Sequence, residues 1–455
     1  MTLTSDNPPA QVGALRAEFA TVATWSARHG VARVVLRRAR RRGDLQAKVF
    51  TDPVARADPY PIYRQIRERG PLVSGGLMAT TASHRMADGV LRSDAFGVAA
   101  DPSALPALAR WLMTRPGLPV GPVNPPSLLA VNPPDHTRYR RLVSKVFTAR
   151  AMAALRGRVE SVADDLLDRA EHAAADGAPV DLVGTYASLL PLTVIAEILG
   201  VPTAMRDQFI VWGSRAAPIL DIGISYREYR RAEVALRQLN RWMAGHFGRL
   251  RRDPGDDLLS QLVAKEDDLT ERELMAISVL LLAAGFETTV NLIGNGVELL
   301  LNHPEQLAGL RSDPSGWPNA VEEILRYESP VQNTARRALR DTEVAGVGVR
   351  AGTFVSVLIG AANRDPEVFA DPERFDVHRA NAREHLAFSS GVHYCLGASL
   401  ARIEGEEGLR RLFERYPDLA LAGPLHRRPT RTLRGYDRLP VRLGRPQPAT
   451  PTVAT

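Results

Sequence analysis

The longest apolar stretch of this 455-residue chain, residues 277–301 (ISVLLLAAGFETTVNLIGNGVELLL), puts the strongest limit on what it can fold into. As a helix, the stretch is long enough to cross a bilayer. It also contains Glu287, Asn291, Asn295 and three glycines, and such polar groups are costly in lipid. We therefore predict a helix buried at the centre of a large soluble domain, and not a membrane span.

Helical periodicity dominates the sequence between residues 51 and 442. Apolar residues recur at spacings of three and four in segments 140–169, 186–200 and 226–250. Strand-like runs are short, and they occur at 70–81, 343–349 and 353–359. No internal repeat or linker divides this part of the chain. The sequence predicts one mostly α domain with small β-sheets, of the α+β class, over residues 51–442.

The two ends differ from this domain in composition. Residues 1–50 contain a basic arm in which Val31, Val34 and Val35 share a helical face among seven arginines of segment 26–44. Such a helix can lie on an anionic membrane, here through residues 28–42, and a solvated arm explains the pattern equally well. The tail, residues 443–455, is rich in Pro and Thr and is predicted to be disordered.

Charge and cysteine content exclude several classes of protein. The chain has 58 basic and 51 acidic residues, a net charge of +7. Its arginines are scattered without interleaved aromatic residues, so we expect no nucleic-acid partner. A single cysteine and the lack of an apolar signal core predict a cytoplasmic protein, with the arm as its candidate for peripheral membrane contact.

The single cysteine, Cys395, lies in the segment HLAFSSGVHYCLGASLARIEGEEG (385–408). One cysteine cannot close an intrachain disulfide or build a Cys-rich zinc site, and a buried bystander is the simplest interpretation. Helical spacing follows at once, which places Cys395 at a helix N-terminus, where amides and the helix dipole stabilise a thiolate. Gly391 can form a left-handed turn, and Gly397 lets a flat group approach closely.

Two chemistries use such a thiolate. A nucleophile needs a base within hydrogen-bond reach, and His393, two residues away in a tight loop, is badly placed to be one. A metal ligand needs only the sulfur and a shaped pocket. Haem iron is the centre that proteins commonly hold through one thiolate.

The segment FSSGVHYCLG resembles the haem-binding loop of cytochromes P450, Phe-Gly-x-Gly-x-His/Arg-x-Cys-x-Gly. The residues that match this pattern are Phe388, Gly391, His393, Cys395 and Gly397, whereas Ser389 replaces the first glycine. The resemblance implies haem b (iron protoporphyrin IX) with Cys395 as the axial iron ligand. The segments RRGDLQA, SLLAVNPPDHTRYR and LAAGFETTVNLIGNG are most similar to actinobacterial, particularly mycobacterial, P450s of family 140, which implies lipid or polyketide-like substrates.

The segment AAGFETTVNL lies within the apolar helix. Gly285 costs about 1 kcal/mol of helix propensity, and Thr288 and Thr289 can bond back to carbonyls one turn earlier. Together these features predict a locally widened helix. The segment also resembles the P450 distal helix, [AG]-G-x-[DE]-T-[TS]. This implies that Glu287 and Thr288 are the catalytic acid–alcohol pair, and that Ala284 and Gly285 lie against the cofactor.

Other motifs extend the resemblance. VEEILRYESP places Glu323 and Arg326 on one helix face, and FADPERF supplies Arg374, which by resemblance completes a buried Glu–Arg–Arg network. Haem propionates require cations. The candidates by resemblance are His136 and Arg140 in DHTRYRRL, Arg336 in TARRALRD with Arg337 as a rival, and His393.

The resemblance implies a monooxygenase that inserts one oxygen atom of O₂ into an apolar small molecule. A single cysteine cannot hold a Cys₄ iron–sulfur cluster, so we expect electrons from a separate ferredoxin and its NAD(P)H-dependent reductase. The expected docking patch comprises Arg140, Arg141, Lys145, Arg410 and Arg411. The expected substrate pocket comprises 115–133, 209–224, Ala283, Ala284, Phe286, 331–334 and 433–435. A peroxide-driven peroxygenase or isomerase, a non-catalytic haem sensor and a cysteine hydrolase are the alternatives.

Overall fold

Helices form most of the architecture, as predicted. The computed structural model describes residues 18–98, 107–114, 117–174, 177–265 and 268–447. The α-helices in chain order are α1 Val31–Arg41, α2 Leu45–Thr51, α3 Pro53–Ala57, α4 Tyr60–Glu68, α5 His84–Arg92, α6 Ala107–Thr114, α7 Asp135–Ser144, α8 Ala149–Ala154, α9 Arg156–Ala173, α10 Leu189–Leu199, α11 Arg206–Ala216, α12 Tyr226–Arg252, α13 Leu258–Val263, α14 Glu271–Leu301, α15 Pro304–Ser312, α16 Trp317–Tyr327, α17 Ile359–Ala362 and α18 Ala398–Arg415. The strands are β1 Val73–Ser74, β2 Ala79–Thr81, β3 Phe96–Val98, β4 Val180–Asp181, β5 Asn333–Ala338, β6 Thr342–Val344, β7 Val347–Val349, β8 Phe354–Leu358, β9 Ala420–Leu421, β10 His426–Arg427, β11 Tyr436–Arg438 and β12 Pro440–Arg442.

Helix α14 is the core helix that the apolar stretch predicted. It starts at a capping box between Thr270 and Glu273, which satisfies amides that a helix N-terminus otherwise leaves unpaired. Among the described residues it is the one helix long and apolar enough to cross a membrane, and 78% of that apolar window is buried inside the protein. The predicted widening is wrong, because α14 is a regular α-helix throughout. Gly285 instead serves packing, since a Cβ there would lie 2.6 Å from Ile195 of α10.

A five-stranded sheet lies beside the helices, in the order β1-β2-β8-β5-β3. Strand β5 is antiparallel to both β8 and β3, and Arg336 pairs with Val355 on one side and Val98 on the other. Alternate residues of a strand point to opposite faces. Arg337 accordingly lies over the ring of Phe354, at 5.8 Å, while Arg336 is buried on the other face.

Predicted helical segment 140–169 is three helices. The side chain of Thr148 accepts a hydrogen bond from Ala151 N and caps α8, and α9 begins at Arg156. The helix predicted at 226–250 is α12, which begins at a capping box between Ser225 and Glu228. Helices α8 and α12 begin at a Thr or Ser side chain that caps the first turn. The spacing of apolar residues alone therefore did not locate where they begin.

The basic arm packs against the domain. Residues 18–41 are helical, and Trp25 Nε1 and Arg33 Nη1 donate to the carbonyls of Ile224 and Gly223 at 3.0 and 2.9 Å. Arg28 Nη1 donates to Asn124 Oδ1 at 2.8 Å. Residues 1–17 of the arm lie outside the described residues.

The boundaries drawn at residues 50 and 443 cut through packed structure. Leu45 and Val49 of α2 are buried in one cluster with Tyr63, so the core begins before residue 50. At the other end Leu443 is buried, and Gln447 N donates to Arg415 O at 2.8 Å. Residues 448–455 of the predicted tail lie outside the described residues.

Candidate active site

The cysteine loop is held by its backbone. Cys395 N donates to Phe388 O at 2.9 Å. Ser389 and Gly391 adopt left-handed conformations, with φ of 62° and 68°. At Gly391 a Cβ would lie 2.5 Å from Leu91 O, so that turn needs glycine. The loop thus presents Cys395 directly before α18.

The thiol of Cys395 is set in a mixed environment. Its side chain is exposed, yet it lies deep enough that desolvation raises the pKa of the thiol. The N–H of Gly397 and the charges of Arg140 and Arg402 oppose that rise. A cation bound at the sulfur would reverse the balance, because a coordinating thiol is deprotonated outright. A Cβ built at Gly397 would meet nothing within 4 Å, which leaves that side of the loop open.

Glu322 of α16 ties the cysteine loop to the core, a role that its sequence did not indicate. Arg402 Nε donates to Glu322 Oε1 at 2.6 Å, and His385 Nε2 lies 3.0 Å from Glu322 Oε2. Although burial raises the pKa of Glu322, these hydrogen bonds lower it to about 2. Arg402 also stacks over Phe388, 4.5 Å from the ring centre. The carboxylate thereby fixes both the start of the loop and the helix after it.

The buried Glu–Arg–Arg network exists with a different third member. Arg326 Nε donates to Glu323 Oε2 at 2.6 Å, and both side chains have 0% exposure. Arg379 Nε donates to Glu323 Oε1 at 3.3 Å. The prediction of Arg374 is wrong, since Arg374 is exposed and contributes its carbonyl oxygen, which accepts from Arg326 and Arg379. The next residue, Phe375, is buried, so the alternating backbone turns Arg374 outward.

The four predicted propionate ligands come together from three elements. The rings of His136 on α7 and His393 in the cysteine loop lie 4.2 Å apart. Arg140, one turn along α7, donates to Val392 O at 3.2 Å. Arg336 on β5 is 6% exposed and donates to Thr334 Oγ1 at 3.1 Å. The rival Arg337 is on the other face of the strand.

None of these four groups forms an ion pair with a carboxylate among the described residues. Burial lowers the pKa of Arg336 to about 10. Burial, followed by the charges of Arg336, His136 and Arg140, lowers the pKa of His393 to about 3. Buried His136 Nε2 has no hydrogen-bond partner among the described residues. Buried cations require pairing, so the cluster is built for an anionic partner.

The two threonines of α14 point in different directions. Thr288 is partly exposed and donates to Ala284 O at 3.1 Å, and Ala284 is an exposed residue within the apolar part of this helix. Thr289 is 2% exposed and faces Glu404 of α18. Burial raises the pKa of Glu404 to about 8, and the Thr289 hydroxyl opposes the rise. Ala284 and Thr288 therefore form the accessible face, while Thr289 belongs to the core.

Glu287 is 6% exposed and forms an ion pair with Arg428, which the sequence did not identify. The two residues are 141 positions apart. Predicted pocket residue Phe286 packs towards α11, since a Cβ at Gly213 would lie 2.4 Å from its ring.

Comparison with known proteins identifies this constellation. The family model described as Cytochrome P450 matches residues 318–417, which include α16 from its second residue onward and the cysteine loop. A Mycobacterium tuberculosis protein that carries the name cytochrome P450 140 is 53% identical over 427 residues, covering 92% of this chain and 97% of its own. The chain belongs to the cytochrome P450 family.

Two further relatives of this P450 are informative. The 6-deoxyerythronolide B hydroxylase of Saccharopolyspora erythraea is 46% identical over 319 residues, covering 69% of this chain and 76% of its own. The crystal structure of P450BioI in complex with a fatty-acyl carrier protein matches with a TM-score of 0.78 and 34% identity, covering 86% of this chain and 99% of that chain. As in other members, haem is the cofactor and the reaction is a monooxygenation.

The residues of this P450 fit haem on structural grounds. The cluster of two arginines and two histidines, Arg140, Arg336, His136 and His393, suits two propionates. The unpartnered His136 Nε2 and the open side of Gly397 add a donor and space for a flat group. The described residues contain no group of three or more His, Cys, Asp or Glu side chains for a bare metal ion. A macrocycle that brings its own nitrogen ligands requires only Cys395 from the protein.

Three residues of the site were missed in the sequence. Glu322 adjoins Glu323 in an apolar helix, and a second carboxyl there could have indicated a second buried pair. Arg379 lies five residues after Arg374 of the segment FADPERF, so the motif pointed to the wrong arginine. Arg428 follows no pattern, but Glu287, Asn291 and Asn295 at spacing four mark a polar stripe that needs a partner.

Proposed function

We propose that this P450 inserts one atom of O₂ into a large apolar molecule of the lipid or polyketide type. The observation that carries the proposal is the accessible face of Ala284 and Thr288 on α14, in an otherwise apolar part of that helix. The other segments predicted to form the pocket are also apolar. Leu118, Val120 and Leu128 of the 117–133 loop are buried. Val331 bridges to Leu433, which brings together two predicted pocket segments. The name of the S. erythraea relative, 6-deoxyerythronolide B hydroxylase, points to the same substrate class.

The roles proposed for individual residues follow from their positions. When bound, haem supplies O₂ binding and activation at an iron held by Cys395. His136, Arg140, Arg336 and His393 would neutralise its propionates. The Thr288 hydroxyl can turn from the Ala284 carbonyl to donate a hydrogen bond on the accessible face of α14, and the neighbouring Glu287 can hold a proton.

A reduced-plus-carbon-monoxide spectrum of the wild type and of Cys395→Ser tests the ligand. A serine oxygen is a harder ligand than a thiolate, so the variant should lose the thiolate signature; a retained one would refute the assignment. Spin-state titration with macrolactones, fatty acids and steroids then tests the substrate class. Haem without NADH consumption would favour the sensor, and turnover with peroxide alone the peroxygenase. Membership of the cytochrome P450 family excludes the alternative that the protein is a cysteine hydrolase.

For the electron donor we propose an acidic ferredoxin that docks beside the cysteine loop. Val392 and Tyr394 are 54% and 40% exposed. Arg141 of α7 and Lys145, which caps the C-terminus of α7, are exposed as well. An apolar centre with cations beside it suits a protein of opposite charge.

The prediction that Arg410 and Arg411 belong to the docking patch is not supported by their contacts. Arg410 pairs with Glu407 and Glu414, and Arg411 pairs with Glu160 and Asp164. Their side chains are 19% and 12% exposed. The carboxylates lie on α9 and on α18 itself. Both arginines are therefore neutralised within the protein, and they offer little free charge to a partner.

Charge reversal tests the revised patch. Arg141→Glu with Lys145→Glu should slow reduction by the ferredoxin roughly tenfold at low salt, and the loss should shrink as salt screens it. Arg272→Glu, an exposed cation at the start of α14, is the matched control. Equal rates for both variants would place the donor elsewhere.

For the basic arm we propose contact with anionic lipid through its outer face. Val31 and Val34 are 64% and 48% exposed, and Arg37, Arg38 and Arg41 on the same helix are exposed. Its inner face is occupied by the contacts to 223–224 and Asn124. Apolar residues beside cations suit a membrane surface, at about 1 kcal/mol per cation.

Vesicle sedimentation with and without anionic lipid tests the arm. Replacing Arg37, Arg38 and Arg41 by Glu should abolish binding to anionic vesicles and leave the carbonyl spectrum unchanged. Substitution is preferable to deletion, because Leu36 of the arm packs in the core with Ala47 and Phe50 of α2. Wild-type protein that ignores anionic vesicles at low salt would show that the arm serves the fold alone.

A further inference from the structure

The carboxylate of Glu322 on α16 is joined to Arg402 of α18 by two hydrogen bonds. Arg402 Nε donates to Glu322 Oε1 at 2.6 Å, and Arg402 Nη2 donates to Glu322 Oε2 at 3.2 Å. Two parallel bonds of this kind give a charged pair both strength and a fixed geometry. The side chain of Glu322 is 3% exposed and that of Arg402 is 31% exposed. The pair therefore lies at the boundary between the core and the surface.

The guanidinium of Arg402 contacts the loop on both sides of Cys395. It lies over the ring of Phe388, 4.5 Å from the ring centre, and its Nη1 donates to Tyr394 Oη at 3.3 Å. Phe388 O in turn accepts from Cys395 N at 2.9 Å. Burial raises the pKa of the Cys395 thiol, and the charges of Arg140 and Arg402 oppose that rise. Arg402 is thus a fixed cation whose charge acts on the sulfur.

Glu322 limits how much of that charge reaches the sulfur. A carboxylate in contact with a guanidinium opposes its field at a distance, because the two charges are adjacent and of opposite sign. His385 Nδ1 accepts from Ala387 N at 3.2 Å, which makes His385 Nε2 the donor to Glu322 Oε2 at 3.0 Å. Burial raises the pKa of Glu322, but the hydrogen bonds from His385 and Arg402 lower it to about 2. Glu322 therefore stays ionised throughout the neutral pH range.

We propose that Glu322 is a positioning residue which, by neutralising Arg402, sets how strongly Cys395 donates electron density to the haem iron. The inference rests on the proposed ligation of the iron by Cys395. Groups around a metal ligand tune the metal through that ligand. A thiolate beside an unbalanced cation donates less to the iron, and the iron then accepts an electron more readily. Balanced by Glu322, Arg402 can hold the loop in place without drawing electron density from the sulfur.

The first experiment measures the reduction potential of the haem-loaded protein. Glu322→Gln removes the negative charge and keeps the shape of the side chain, so the charge of Arg402 is no longer balanced. The equilibrium constant for one-electron reduction should rise roughly tenfold, which is a positive shift of about 59 mV. Arg402→Gln removes the cation and should shift the potential in the opposite direction. Shifts of both variants in one direction would overturn the proposal, because a loosened loop would affect both alike.

The second experiment reports on the sulfur itself. In the reduced carbon monoxide complex, the C–O stretching frequency rises as the thiolate opposite donates less electron density to the iron. Glu322→Gln should therefore raise this frequency, and combining it with Arg402→Gln, which removes both charges, should bring the frequency back towards the wild type. Glu406→Gln is the matched control, since it breaks a comparable pair with Arg156 one turn further along α18. An equal rise in this control would overturn the proposal.

Failure of the inference and failure of the proposed function give different results. A Cys395→Ser protein that keeps the thiolate carbonyl spectrum would refute the ligation and the function that depends on it. A wild type with the thiolate spectrum, and with a potential that Glu322→Gln leaves unchanged, would refute the inference alone. If Glu322→Gln does not load haem, Arg402→Lys and Arg402→Gln provide the test. Arg402→Lys keeps the charge and should keep the potential, whereas Arg402→Gln should lower it, and equal potentials would overturn the proposal.

Discussion

The cysteine loop and the face of α14 are built by different means. The loop is fixed by short-range bonds such as Cys395 N to Phe388 O and by left-handed turns at Ser389 and Gly391. On α14 the decisive partner of Glu287 comes from Arg428, 141 residues away. Local contacts fix the cysteine loop, and we call it the rigid side. The position of Glu287 depends on a partner from a distant segment, and we call the face of α14 that carries Glu287 and Thr288 the adjustable side.

The largest expected effect concerns the rigid side. Removing one member of a buried ion network costs about 3–5 kcal/mol, because a charge stays buried without its partner. Arg379→Ala and Glu323→Ala should therefore lose most haem and unfold at much lower urea concentration. Arg374→Ala, at the exposed position, should change the unfolding free energy by about 0.5 kcal/mol or less. Equal losses at Arg374 and Arg379 would restore the sequence-based assignment.

A second test uses Glu404 of α18, which is buried facing Thr289 of α14. Its pKa is raised to about 8 by burial, above the value near 4.3 expected in the unfolded chain. Such a carboxyl destabilises the folded protein as pH rises between these values, by about 1.4 kcal/mol per pH unit. Relative to Glu404→Gln, the wild type should lose about 3 kcal/mol of unfolding free energy from pH 5 to pH 7. A difference independent of pH would mean that Glu404 is ionised in the fold.

The adjustable side is tested by the two threonines. Thr288→Ala should lower product formed per NADH roughly tenfold and raise hydrogen peroxide, since it removes the hydroxyl on the accessible face. Thr289→Ala should change this ratio about twofold or less, because its side chain points about 100° away. The carbonyl spectrum, which reports the cysteine side, serves as the control for both. A larger effect at Thr289 would reverse the assignment of faces.

The smallest expected effect concerns Ser389 in the cysteine loop. Ser389 stands at φ 62° where the family pattern has glycine, and its buried Oγ lacks a partner among the described residues. A left-handed conformation costs a residue with a Cβ about 1–2 kcal/mol. Ser389→Gly should therefore raise the unfolding free energy by about 1 kcal/mol. The larger conformational entropy of glycine in the unfolded chain reduces this gain. Gly391→Ala, where a Cβ meets Leu91 O, should do the opposite, and stabilisation by both would disprove the strain argument.

The sequence predicted the parts of the site that short-range patterns encode. The cysteine before a helix, the pair Glu323 and Arg326, and the back-bond from Thr288 to Ala284 all involve residues within one or two turns. The four cations could be named only through a family resemblance, and the structure then places them together. Gly285 was misjudged, because its role depends on Ile195 of another helix.

What remained hidden depends on contacts between distant segments. Strands β10 and β11 pair as an antiparallel hairpin, residues 426–438. Arg428 reaches Glu287 only because Gly435 lets this hairpin approach α14. Arg410 and Arg411 look like free surface cations in the sequence, and only the packing of α18 on α9 neutralises them. The basic arm looks like an appendage, and its inner contacts depend on the conformation of residues 219–226.

That arm has a kinetic consequence. Trp25 and Arg33 bind the carbonyls of Ile224 and Gly223, and Arg28 binds Asn124, so one helix fastens two segments expected to border the substrate pocket. We expect this helix to hinder the passage of bulky ligands between the two segments. The residence time of a large substrate or product should then depend on residues 18–41, and a protein trimmed of them should exchange its ligands faster than the intact chain.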